Sequence, residues 1–298
     1  MKHLSGLFIA LIITGSVISS CGTQKKPVDQ DSFPYESFEI MRGTNIAHWL
    51  SQSQRRGSER ETFFTEKDVK FIDSCGFDHI RLPIDEEQMW DESGKRNEDA
   101  FTLMKNCLDW CQKAGLRVII DLHILRSHHF NEEVKPLWTD PAEQDQFIAL
   151  WKDLSDFLKD RPLGMVAYEP MNEPVADDPE EWNVLLARVV TAIRQWEPQR
   201  VIVIGSNRWQ SAATFDDLKV PANDKNIMLS YHFYEPFFLT HYQASWTDLK
   251  DFTGEVNYPG QIVLNSNLPE HLRVYNRDTL VKMMEKPLRA ARTLNLPL

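Results

Sequence analysis

Short apolar runs alternate with helix-period hydrophobic stripes along this chain, and that alternation leaves few folds open. Strands are expected at Glu39 to Asn45, Phe77 to Pro83, Leu116 to Leu122, Leu163 to Tyr168, Arg200 to Gly205 and Ile227 to His232. A helix opens at Thr65 with Asp68, buries Val69, Ile72 and Cys75, and stops at Gly76. The next carries Phe101, Met104, Leu108 and Cys111 on one face and ends at Ala114-Gly115. Asp140, Pro141 and Glu143 supply an N-cap, a first-turn proline and an acidic third residue for a third helix. Asp178-Pro179-Glu180-Glu181 starts another, running over Trp182 to Trp196, and Thr279 to Thr293 reads as one more. Asn295 to Leu298 looks like the opening of a seventh strand, after a long loop from Phe233 to about Arg277.

Such βα units give a parallel sheet with right-handed crossovers, as a doubly wound sheet or a barrel. No glycine-rich phosphate loop follows the first strand, and polar residues follow nearly every strand, which favours the barrel. The expected fold class is therefore α/β, a (β/α)8 TIM barrel over residues 38–298, incomplete here and comprising strands one to six and the start of strand seven.

The first residues read differently. Lys2 and His3 precede the apolar run Leu7 to Val17, too short to span a bilayer and suited to a signal peptide. Ile18-Ser19-Ser20-Cys21 resembles the bacterial lipobox, so residues 1–21 are expected to be a lipoprotein signal, with lipidation at Cys21. Residues 22–37 read as a polar tether, and the product as an exported protein, lipid-anchored to a bacterial membrane at the outer membrane or cell surface. Of the later cysteines, Cys107 and Cys111 lie four apart on one helix face and read as core, and with Cys75 they form no disulfide framework. A formal net charge of -11 and the absence of basic runs argue against nucleic acid as a partner.

The chemistry concentrates at the strand ends. Tyr168-Glu169-Pro170-Met171-Asn172-Glu173-Pro174 puts an Asn-Glu pair at the end of the fourth strand, stiffened by two prolines. Asn45 ends the first strand, Arg81 lies in the second, His123 follows the third, and His232 with Tyr234 follows the sixth. Singly, each has an ordinary reading: Arg81 as partner of a buried carboxylate, the histidines as core residues, Glu173 as a solvated loop carboxylate. Together they would share one barrel mouth. Trp49, Trp90, Trp138, Trp209 and Trp246 are candidate sugar platforms, Trp246 above all, whereas Trp110, Trp151 and Trp196 fall on helical stripes.

Ile80-Arg81-Leu82-Pro83, Asp121-Leu122-His123, Tyr168 to Pro174 and Tyr231-His232-Phe233-Tyr234 together resemble glycoside hydrolase family 5, the retaining β-glycanases. Phe238 to Trp246, which includes His241, is similar to a segment of the family's endoglucanases. The resemblance implies hydrolysis of a β-linked polysaccharide without a metal or cofactor, by two carboxyl groups about 5 to 5.5 Å apart. It makes Glu173 the acid/base, Asn172 a ligand of the sugar 2-hydroxyl, and Arg81 a neighbour that keeps the nucleophile ionised. His123, His232 and Tyr234 would line the subsite of the cleaved sugar, with Asn45, His241 and Trp246 binding substrate. The family nucleophile, a Glu ending strand seven, is expected beyond Leu298, so the chain as given is expected to be inactive alone. Two other readings are a non-catalytic glycan-binding lipoprotein and a metal-dependent barrel using His123, His128, His129 and Glu173.

Overall fold

The structure, a computed structural model, describes residues 37–261 and 274–298. The expected signal, lipidation site and nearly all of the tether lie outside the described residues. Six strands form one parallel sheet in chain order: β1 (Gly43–Asn45), β2 (His79–Asp85), β3 (Arg117–Ile124), β4 (Val166–Glu169), β5 (Ile202–Ile204) and β6 (Ile227–Leu229). This is the incomplete barrel that the βα repeat predicts. No strand of the sheet follows β6 among the described residues, but Leu229 donates its N–H to Pro297 O at 2.8 Å. Pro297 thus lies beside β6, where a seventh strand would pair.

Register decides which side chains enter the barrel. Asn45 pairs with Arg81, Arg81 with Ile119, and Ile119 with Ala167, so these four share one level and one face. That face is interior, because Ile119 and Ala167 pack with Phe38, Val203 and Met228 in a small buried cluster. Two residues further on, the pleat returns the same face, and there Asp121 pairs with Glu169. A floor of apolar residues therefore carries a layer of charge toward the strands' C-terminal ends. The alternate residues, Ile80, Leu82, Ile120, Leu122 and Tyr168 among them, point outward into the larger core beneath the helices.

The helices follow their caps. In α4 (Glu98–Ala114) Asn97 Oδ1 accepts from Ala100 N, and Gly115 ends the helix at φ 74°. α5 (Pro141–Leu158) starts with Asp140 accepting from Ala142 N at 2.9 Å, and α6 (Pro179–Trp196) with a reciprocal Asp178–Glu181 box. α2 (Glu66–Ser74) carries the same device between Thr65 and Asp68, and the short α3 (Glu86–Met89) follows β2 directly. Cys107 and Cys111 are buried along α4, as its stripe predicts, and Cys75 is exposed. No helix among the described residues is long and apolar enough to cross a membrane.

Several elements depart from the sequence reading. The segment between β1 and α2, for which the periodicity gives no element, folds into α1 (Gly57–Phe63). Trp49 is not a sugar platform: its ring packs on Phe64, its Nε1 donates to Arg60 O at 2.8 Å, and it is fully buried. Trp90 is buried too, donating to Asp153 Oδ2 and packing edge-on against Phe101. Strands β1, β4, β5 and β6 are shorter than expected and β2 starts at His79, since an apolar run marks burial rather than ladder pairing. The helix over 279–293 is two, Arg277–Met283 and Glu285–Leu294. Pro287 cannot donate to a preceding carbonyl, but it is tolerated in the first turn of a fresh helix. The long loop contains the short helix Phe237–Thr240 and an antiparallel pair, Gly260–Gln261 with Val274–Tyr275.

Behind the sheet lies a buried ion network. Glu197 Oε1 accepts from Ser155 Oγ at 2.7 Å and from Tyr168 OH at 2.6 Å, while Glu197 Oε2 meets Arg200 Nε at 2.8 Å. Arg200, fully buried, spends its other donors on the carbonyls of Leu158, Arg161, Pro162 and Val166. Every polar atom in it is matched, so removing one partner strands the other. Arg200→Met is expected to lower stability by about 3 to 5 kcal/mol, read from urea unfolding, because it leaves Glu197 buried without its cation.

Candidate active site

Arg81 gathers the strand ends. Its Nε donates to Glu169 Oε2 at 2.7 Å and its Nη2 to Glu169 Oε1 at 3.1 Å, a forked contact between β2 and β4. Nη2 also reaches Asp121 Oδ2 at 2.8 Å and Asn172 Oδ1 at 2.9 Å, and Nη1 reaches Asn45 Oδ1 at 3.2 Å. Burial opposes the guanidinium's charge, but Asp121 and Glu169 outweigh it and hold Arg81 above its usual value. Glu169 is wholly enclosed, which would raise it, yet Arg81 keeps it below the usual carboxylate range. Burial pushes Asp121 up against the pull of Arg81, and its Oδ2 lies 2.7 Å from His123 Nδ1.

The turn after β4 brings Asn172 and Glu173 over this layer. Asn172 N donates to Leu122 O at 3.1 Å, which pins the turn to the end of β3. With Asn172 Oδ1 taken by Arg81, its Nδ2 is buried with no hydrogen-bond partner among the described residues. Glu173 has φ 45°, a left-handed conformation that costs a non-glycine residue on the order of 1 kcal/mol or more. Its Oε1 lies 2.6 Å from His232 Nδ1, beyond the end of β6. Tyr234 stands edge-on to His232 with ring centroids 6.3 Å apart. Partial burial and the nearby Glu173 charge raise its phenol.

These groups open into a cleft of about 1500 Å³. Asn45, Arg81, His123, Asn172, Glu173, His232, Tyr234, His241 and Trp246, all singled out from sequence, line it. His241 stacks on Phe237 at 4.0 Å and stands edge-on to Tyr234 and Trp246, whose indole is 74% exposed. Trp209 also faces the cleft, at 45% exposure, whereas Trp138 is partly buried beside His128 and Trp182. A second cleft of about 980 Å³, between α1, α2 and α4, holds none of the strand-end residues.

Sequence reasoning passed over Glu169, Asp121 and Gln210 as site residues, although the first two fall within the quoted motifs. An Arg inside a strand calls for a buried carboxylate on a neighbouring strand, and that signal pointed to both. Gln210 carries no such signal. The histidines of the metal reading do not converge: His128 is buried with Nε2 accepting from Val175 N at 3.1 Å, and His129 stacks on Phe130. Among the described residues no three His, Cys, Asp or Glu side chains are grouped to hold a metal.

Glu173 beside His232, the Arg81-paired Glu169 beneath them and the exposed indoles thus share one cleft at the C-terminal ends of the parallel strands. Residues 32–273 match the family model "Cellulase (glycosyl hydrolase family 5)", and the chain belongs to that family. It is 36% identical over 227 residues to Endoglucanase C of Acetivibrio thermocellus, covering 74% of this chain and 65% of the relative. Cellodextrinase A of Ruminococcus flavefaciens is 31% identical over 216 residues, which cover 70% of this chain and 62% of that protein. The chain thus spans just under two thirds of the length of these relatives. A structure of Thermotoga maritima Cel5A, a mutant form in complex with cellobiose, superposes with TM-score 0.69 at 25% identity, covering 87% of this chain and 76% of that one.

His128 anchors the loop that follows Glu173, and it does so as a neutral ring. Burial lowers it to about 3, from an ordinary histidine value near 6.5. The unfolded chain therefore binds the proton first as pH falls, so the stability this ring contributes is full above about 6.5 and is lost between there and about 3. His128→Gln keeps an acceptor for Val175 N and removes the titration. Its unfolding free energy is expected to fall less steeply than wild type below pH 6.5, by up to about 1.4 kcal/mol per pH unit. Asp85, raised by burial to about 6, has the opposite slope and cancels in the comparison.

Proposed function

We propose that this chain is the barrel of a retaining glycoside hydrolase acting on β-linked polysaccharide, an endo-β-1,4-glucanase by preference, with Glu173 as its acid/base. The observation that carries the reading is the pairing of Glu173 with His232 at 2.6 Å, in a cleft that Asn172 also lines. In this reading Glu173 transfers its proton to the glycosidic oxygen as the C–O bond breaks, and afterwards takes a proton from the incoming water. Asn172 Nδ2 donates to the sugar 2-hydroxyl, a contact that tightens as the anomeric carbon becomes cationic.

Arg81 sets the charge of the floor beneath that carbon. No carboxylate among the described residues is assigned as the attacking group. Glu169, the carboxylate next to the site, is committed to Arg81 and is not assigned that role. His123, Tyr234 and Asn45 shape the central subsite, and Trp246 with His241, and Trp209 across the cleft, stack against flanking sugars. The names of the relatives, endoglucanases and a cellodextrinase, support a β-glucan substrate. Export and lipid anchoring at Cys21 belong to the same reading, since a polymer too large to enter a cell must be cut outside it.

Glu173→Gln in the full-length protein is expected to lower kcat/KM on unactivated cello-oligosaccharides by about 10²- to 10⁴-fold. Oligosaccharide binding, followed by calorimetry, should persist. Undiminished turnover by this variant would remove Glu173 from the mechanism.

A further inference from the structure

Gln210 is buried and touches the end of β4 twice. Its Oε1 accepts from the Glu173 N–H at 3.3 Å, and its Nε2 donates to Glu169 Oε1 at 3.2 Å. The amide can face only one way, since a backbone N–H must donate and the Arg81-paired carboxylate must accept. Its own carbonyl accepts from His232 N at 2.9 Å, and His232 Nδ1 returns to Glu173 Oε1 at 2.6 Å. The contacts close a ring: Glu173 backbone, Gln210 side chain, Gln210 backbone, His232, Glu173 carboxyl.

The local backbone is bent to make that ring. Arg208, Trp209 and Gln210 hold φ of 56°, 61° and 53° in succession, and Trp209 N donates to Pro174 O at 3.3 Å, just past Glu173. Gly205 leaves the space that the side chain needs: a Cβ there would lie 2.6 Å from Gln210 Nε2 and 2.8 Å from Ser230 O. Four left-handed residues, counting Glu173, persist together only where their surroundings determine them.

We infer that Gln210 is a positioning residue for Glu173, holding its main chain from one side and, through His232, its carboxyl from the other. The inference rests on the assignment of Glu173 as the acid. Gln210 touches no substrate; it fixes the height and rotamer from which the proton is delivered. Opening the ring lets the turn relax and withdraws the carboxyl from the leaving oxygen, while sugar contacts made elsewhere in the cleft stay in place.

Gln210→Met, nearly isosteric and without hydrogen bonds, separates these roles in the full-length protein. On cello-oligosaccharides, whose leaving group needs a proton, kcat/KM is expected to fall by on the order of 10²-fold. On 2,4-dinitrophenyl β-cellobioside, whose leaving group needs none, it should change little. Equal losses on both substrates, or none on the first, would overturn the proposal. If the Met variant does not fold, Gln210→Glu serves: protonated in acid it keeps both contacts, and deprotonated it cannot donate to Glu169. Its activity relative to wild type should then drop as pH rises, and parallel profiles would refute the positioning role. If wild type cleaves neither substrate, the hydrolase reading has failed, and the ring is judged by the His232 imidazole ¹⁵N shifts. A moved Nδ1 shift in the variant supports the ring, and an unmoved one ends the proposal.

Discussion

One guanidinium holds this barrel mouth together. Asp121 and Glu169 are both inside the sheet with almost no access to water, and two such carboxylates side by side would be costly without a cation. Arg81 supplies it from the neighbouring strand and extends its remaining donors to Asn45 and Asn172. Four strands are thereby fixed relative to one another at the end where the polar residues collect. The catalytic proposal depends on that arrangement, because Asn172 and Glu173 sit on a turn whose position is set by the layer beneath it.

Much of this was legible from periodicity. An apolar alternation of strand and stripe gave the parallel βα order, and capping residues at Asp140 and Asp178 mark where two helices begin. Polar residues at strand ends led to Arg81, His123, Asn172, Glu173 and His232, which do line one cleft. Pro297, in the run read as an opening strand, accepts a hydrogen bond from β6, although the run itself is not a strand.

What periodicity left hidden depends on how segments distant in sequence meet. Trp49 and Trp90 sit in polar surroundings in the chain, but helices from elsewhere cover them and offer their indoles Arg60 O and Asp153. Gln210 is the last of three left-handed residues, none of them a usual turn former, and its importance appears only when Glu169, Glu173 and His232 surround it. Glu169 was read as part of a motif, yet its burial follows from the register with Asp121, which no local pattern states.

Asn172 Nδ2 has a thermodynamic consequence. Folding encloses this donor without an acceptor among the described residues, a penalty on the order of 1 to 3 kcal/mol that the Arg81 contact to the oxygen of the same amide has to offset. The side chain is therefore held by its oxygen alone, and the turn it belongs to takes its rigidity from the ion layer below.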